Sequence, residues 1–201
     1  MKSLFDFIVE PLNGKYDTEI KVDDKSLITN VNLENFRAVS NMAKVIEVPL
    51  ALNTKIKKGD IILIHHNVFR TFRDMKDKQR ASRSKFIDDL FFVKMDQVYM
   101  YKNSGSWTTV NNRCFIKPLL SDNDLTLDKE RELIGILKYG NKSLEALKIT
   151  PGDLLGYTPD GEYEFIIDDE RLYCMKSNDI VIKYEYQGNE VEYNPSWAKS
   201  S

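Results

Sequence analysis

The hexapeptide Lys-Ile-x-x-Gly-Asp occurs twice in the chain, at Lys55–Asp60 and at Lys148–Asp153. Its surroundings recur with it. Each half opens on an apolar segment that ends in Pro-Leu, Ile8-Val9-Glu10-Pro11-Leu12 and Phe115-Ile116-Lys117-Pro118-Leu119. A polar segment follows, then a small residue and an apolar run, Ala43–Val48 and Gly135–Gly140. Beyond the hexapeptide come Phe86-Ile87-Asp88-Asp89 and Phe165-Ile166-Ile167-Asp168-Asp169. Each half closes on a turn aspartate and a valine-containing strand, Asp96-Gln97-Val98-Tyr99 and Asp179-Ile180-Val181-Ile182. Five landmarks in one order define an internal duplication, so the chain is expected to fold as two similar units. In each hexapeptide the glycine can take the positive φ of a tight turn, and the aspartate can bond back onto turn amides.

The apolar residues fall in short runs rich in valine, isoleucine, tyrosine and phenylalanine, such as Asp60–His66, Asp89–Met95 and Asp179–Gln187. Such runs, separated by turn residues, predict an all-β fold of small barrels or sandwiches. Three charged stretches could be helical, roughly 70–83, 128–133 and 143–147. The expected organisation is a first unit at 1–103, a linker at 104–112, a second unit at 113–187 and a C-terminal tail at 188–201. The linker is rich in Asn, Ser and Gly, and the tail loses periodicity, which suits an arm or a frayed end.

Composition narrows the function classes. The 201 residues carry 42% hydrophobic residues, enough for a real core. Lys and Arg (29) nearly cancel Asp and Glu (31), so no global charge recruits nucleic acid or an anionic membrane. The first twelve residues, interrupted by Asp6 and Glu10, do not read as an export signal, and no run is long enough to span a membrane. Cys114 and Cys174 are expected to be reduced, packed thiols in a cytoplasmic protein.

The second half, Gly135-x-x-x-x-Gly140 followed by Ile149, Gly152, Asp153, Leu155, Glu170, Tyr173, Asp179 and Ile180, resembles a GroES-type (chaperonin-10) co-chaperonin. The first half resembles the same family through Ala43, Val45, Val48, Ile56, Gly59, Asp60, Ile62, Asp88, Phe92, Asp96 and Val98. The resemblance implies two tandem GroES-like small β-barrels, a tandem form that could be phage-encoded. It implies a partner, a GroEL-type chaperonin ring, capped through flexible apolar loops inserted after the first strand of each barrel. It also implies self-association into a ring-like oligomer. The family forms seven-fold rings of single barrels, and two barrels per chain cannot tile seven evenly. Fewer than seven chains, or a monomer used as a building block, are therefore expected. The matching loop of the first half is 13–40, with Leu27-Ile28-Thr29 as its apolar element; that of the second is 121–132, with Leu125-Thr126-Leu127. Neither has the paired glycines of the family's loop. A segment that orders on binding keeps a small apolar contact reversible, and several loops around a ring restore avidity.

A second departure is the stretch 67–85, where the family's charged hairpin is longer and basic. Arg70, Arg73, Lys76, Lys78, Arg80, Arg83 and Lys85 face only Asp74 and Asp77. A solvated face is the ordinary reading; a pore lining or a nucleic-acid contact are alternatives, although few aromatics are interleaved for stacking. His65 and His66 close a strand and should point to opposite faces, which argues against shared zinc ligation. The acidic pairs Asp88-Asp89 and Asp168-Asp169 read as hairpin turns rather than hydrolytic carboxylates. With no dinucleotide, phosphate-loop or nucleophile-elbow motif, the chain is not expected to be an enzyme, and no cofactor or metal is called for. Three functions remain open: a co-chaperonin in the cytoplasm (the host's, if viral), a virion or assembly protein built on the duplicated barrel, and, less favoured, a nucleic-acid-binding protein.

Overall fold

The computed structural model describes residues 2–12, 14–16, 19–22, 25–28, 39–103, 105–121, 130–185, 188 and 190–200, with backbone alone at 19–22, 25–28 and 199–200. The chain divides into two compact units, Met1–Thr108 and Thr109–Ser201. Strands of the first are β1 (Phe7–Pro11), β2 (Glu19–Val22), β3 (Lys25–Ile28), β4 (Met42–Glu47) and β5 (Ile61–Ile64). They continue with β6 (Thr71–Arg73), β7 (Gln79–Ala81), β8 (Phe91–Val93), β9 (Val98–Lys102) and β10 (Trp107–Thr109). The second unit has β11 (Arg113–Leu120), β12 (Glu130–Tyr139), β13 (Leu154–Tyr157), β14 (Tyr163–Ile167), β15 (Glu170–Lys176) and β16 (Ile180–Tyr184). Its helix α1 spans Lys142–Ala146.

The all-β class is as expected, and the two halves share one strand order. The first sheet runs β10-β9-β5-β4-β1-β8 and the second β14-β15-β11-β12-β13-β16. Reading β1 as β11, β4 as β12, β5 as β13, β9 as β16 and β8 as β15 gives five strands in identical sequence. Register agrees residue by residue. Val9 faces Val45 as Ile116 faces Leu137, and Ile62 faces Ala43 as Leu155 faces Gly135. Both copies carry a bulge at the same step of the first strand, Ile8/Val9 and Phe115/Ile116. A second shared bulge falls between Leu63 and Ile64 and between Gly156 and Tyr157. Bulges add twist and fix register, so their duplication pins the two sheets to one shape.

The hexapeptide explains why. Gly59 (φ +91°) and Gly152 (φ +97°) each sit where a side chain would be strained. Their N–H groups donate to Val45 O and Leu137 O at 2.8 Å, and Val45 N and Leu137 N donate back to Asp60 O and Asp153 O at 2.9 Å. The Asp60 carboxylate accepts from Lys57 N and that of Asp153 from Thr150 N, both at 2.8 Å. Each turn thus welds the third sheet strand onto the second. The core follows the same register. In the second unit Cys114, Ile116, Leu137, Ile149, Leu155, Tyr157 and Met175 pack with Leu144 of α1. Their counterparts Phe7, Val9, Val45, Ile56, Ile62, Ile64 and Val93 are all buried.

Several expectations need correction. Barrel closure is not seen: among the described residues both sheets remain open. The outer edge of β15 is occupied by β14, and that of β8 by an isolated bridge from Lys85 to Phe91, so the end strands have other partners. The stretch 70–83 is the β6–β7 hairpin, not a helix, because Asp74 Oδ1 accepts from both Lys76 N and Lys78 N (2.9 Å each) and closes a turn. Residues 130–133 extend β12. Only 143–147 overlaps a helix, α1, where Asn141 caps Ser143 N (2.9 Å) and Leu144 N (3.2 Å). The turn aspartate is shifted by one residue: Gln97, not Asp96, matches Asp179. Each ends a single 3₁₀ turn and accepts from the lysine N–H before it, Lys94 N at 3.0 Å and Lys176 N at 2.9 Å.

The stretch expected as a linker contains β10, and the expected free tail packs on the second unit. Leu120 N donates to Val191 O (2.8 Å), Tyr193 N to Pro118 O (2.9 Å), and Ala198 is buried. Pro118 offers no N–H, but its carbonyl serves the returning chain.

Gly135 is a core position where the copies differ and a side chain would meet close contacts. A Cβ there would run into Ile116 Cγ2 and the Lys117 carbonyl, whereas its buried counterpart Ala43 carries a methyl group. Gly135→Ala should therefore destabilise by about 1–3 kcal/mol, while Ala43→Gly should cost only about 0.5–1 kcal/mol. Urea titration of both variants checks the difference; an unchanged midpoint for Gly135→Ala would contradict the packing.

Candidate functional site: the strand-connecting loops and the basic hairpin

In each unit one long connection leaves the first sheet strand and returns as the second, β1 to β4 and β11 to β12. The base of the first is a ribbon: Leu12 N donates to Met42 O (3.1 Å), Ser40 N donates to Lys15 O (3.0 Å), and Tyr16 bridges Val39. Farther out, β2 and β3 pair with Ile20 opposite Leu27 and Glu19 opposite Ile28. Leu27 and Ile28 thus lie on a two-stranded ribbon with no third strand among the described residues. Such a ribbon is marginal by itself. The second connection begins from Leu120 opposite Glu130. Thr29, Leu125, Thr126 and Leu127 lie outside the described residues.

The first loop's base is tied to the hairpin. Thr71 N donates to the Tyr16 phenol oxygen at 2.7 Å. Lys15 pairs with Asp89 at 2.5 Å, and Lys15 and Lys85 both lie over the Phe91 ring, 5.5 and 5.0 Å from its centroid. The Lys15 hydrogen bond and charge hold the exposed Asp89 carboxyl below its usual range. The acidic pairs are turn formers: Asp88 has φ +48°, and Asp168 and Asp169 have φ +49° and +62°, the geometry of a type I′ turn.

Of the seven basic hairpin residues, Arg73 pairs with Asp77 (2.9 Å), Arg80 with Asp74 (3.0 Å), and Lys85 lies 3.9 Å from Asp89. Lys76 and Lys78 sit at the tip and Arg70 and Arg83 at the root, none of them in an ion pair among the described residues. Exposed pairs of this kind stabilise little, so the hairpin keeps a positive face. His65 and His66 correct their expectation. β5 ends at Ile64, His65 caps a 3₁₀ turn, and the two rings stand 4.4 Å apart. Burial, with lesser help from His65 and Arg70, lowers His66 to about 4, so it is neutral at pH 7. No cluster of three or more metal-ligating side chains occurs among the described residues.

The second unit holds an arrangement that motif reading missed. Arg171 bonds to Glu130 (2.6 Å), Glu164 (2.8 Å) and the Tyr173 hydroxyl, with its guanidinium 5.7 Å from the Trp197 ring centroid. Arg171, Glu130, Tyr173 and Trp197 line a cleft of about 790 Å³ with Tyr157, Glu162 and Tyr193. Burial first, then Glu130, pushes the Tyr173 phenol up. The one available signal was the Arg-x-Tyr alternation, which puts both on one face of β15. Cys114 and Cys174 are free and buried on adjacent strands, and burial pushes both thiols up to about 12.

No family model matches the chain, and no curated protein matches it. No helix among the described residues is long and apolar enough to cross a membrane.

The hairpin turn should depend on pH. The Lys78 amide first, then the Arg80 guanidinium, hold the Asp74 carboxyl below its usual value. A depressed native value means the turn is fully ordered above the ordinary carboxylate range and loosens as pH falls through the lowered one. Protection of the Lys76 and Lys78 amides, relative to their intrinsic exchange at each pH, should fall in acid, and Asp74→Asn should remove that dependence. Unchanged protection in acid would contradict the assignment.

Proposed function

We propose that the protein is a co-chaperonin lid that caps a GroEL-type ring and assists folding, self-associating in fewer than seven chains. One observation carries the reading: both units place their long connection between the same two strands of one shared strand order, so each chain offers two equivalent docking loops. The first would present Leu27-Ile28-Thr29 and the second Leu125-Thr126-Leu127. An apolar contact of this size supplies roughly 1.5–3 kcal/mol per fully buried aliphatic side chain before ordering costs. That is weak for one loop and sufficient when several engage together.

The competing reading is a virion or assembly protein that keeps the duplicated scaffold without docking. The Tyr16–Thr71 and Lys15–Asp89 contacts favour it, because they fix the root of the first loop to the hairpin and to the turn that follows it.

The double variant Leu27→Asp, Ile28→Asp separates the two. For a lid it should abolish co-elution with a chaperonin ring and assisted refolding, with the melting temperature nearly unchanged. If the pair is instead structural, burying two unpaired charges should cost several kcal/mol. A stable variant that still caps the ring would rule this loop out.

A further inference from the structure

The root of the basic hairpin borders an open hollow of about 500 Å³, the size range of small-ligand sites. Arg70 and Arg83 line it with Asn67, Ser84, Gln97 and Phe72, and no carboxylate is among the lining residues. The Arg70 Nε is buried and finds no hydrogen-bond acceptor among the described residues. Arg70 is half-buried and Arg83 exposed, and neither is in an ion pair among the described residues. Neutral His66 beside Arg70 adds no charge of its own.

We infer that this hollow is a binding site for a small phosphomonoester carrying a planar ring, such as a nucleoside monophosphate. Two guanidiniums with no opposing acid match a phosphate dianion better than a single carboxylate, and arginine forks bond phosphate oxygens in pairs. The amides of Asn67 and Gln97 and the Ser84 hydroxyl can serve the remaining oxygens. Phe72, 42% exposed at the edge of the hollow, offers a face on which a base can stack. The positions are held from two sides, since Tyr16 fixes β6 at Thr71 and the 3₁₀ turn at Met95–Gln97 fixes Gln97. The site uses no residue of the docking loops' apolar elements and stands independently of the lid reading.

Calorimetry on the full-length protein with adenosine monophosphate, inorganic phosphate and adenosine tests it. The monophosphate should bind saturably, about tenfold or more tighter than either fragment, since one charge-assisted hydrogen bond is worth about a factor of ten. Arg83→Met, at the accessible rim, and Arg70→Met should each weaken it by a similar factor, with melting curves confirming that the variants are folded. Phe72→Ala should bring the monophosphate down to the affinity of phosphate while leaving phosphate unchanged. Leu27→Asp, Ile28→Asp should bind as the unaltered chain does. No saturable binding, binding insensitive to Arg83→Met, or equal affinity for phosphate and monophosphate would overturn the inference. So would tighter binding of a short single-stranded RNA lacking a terminal phosphate, which would assign the arginines to a nucleic-acid backbone.

Discussion

Two reciprocal backbone hydrogen bonds in each half, from the Gly-Asp turn to the strand before it, organise everything else in these sheets. They require a residue with positive φ at one position and an acceptor side chain at the next. Once the turn closes, the register of the second and third strands is set, and a one-residue slip would turn the buried row outward. The first strand then adds through a bulge at a fixed step. In this sense the sheet is assembled from its turn outward, twice, on different side chains.

The scaffold is shared, but what hangs on it is not. The first unit spends its insertions on a basic hairpin whose root is fixed to the loop base by Tyr16. Among its described residues the second has no such hairpin and instead draws residues 191–198 back along β11, where Trp197, Tyr173 and Glu130 surround Arg171. Function in duplicated folds resides in such additions rather than in the strands. The long connection between the first two strands is common to both halves, whereas the hollow beside Arg70 belongs to the first alone.

The parts of the fold that were legible in the sequence are those with stringent backbone demands. Lys-Ile-x-x-Gly-Asp, the Pro-Leu strand ends and the Asp-Asp turns occupy the matching places they were expected to hold. The misreadings arise where chemistry is degenerate. Gln97 does the work of Asp179 through an amide oxygen, so aligning aspartates shifted the repeat by one position. The charged run 70–83 lacks any apolar period, and an aspartate-closed turn decided its conformation. Barrel closure depends on which strands find their edges occupied, which Lys85 and β14 settle by folding back on the strands that follow them. The candidate site was legible only as loops and charge. That the Arg70 Nε is shielded without an acceptor while Arg73 and Arg80 meet aspartates is a matter of tertiary placement, invisible in a list of basic residues.

Two halves with the same strand order and the same bulges pose a hazard during folding, because a strand can enter the wrong sheet with every backbone bond in register. The core limits that error. Phe7 stands where the other half has Cys114, Val45 where it has Leu137, and Val93 where it has Met175. A misplaced first strand would bring a phenyl ring into a space cut for a thiol, or leave a void where the ring belongs. Either error loses packing that hydrogen bonding cannot restore. Divergence of side-chain volume between the copies thus acts as an address, directing each strand to its own half while the backbone remains interchangeable.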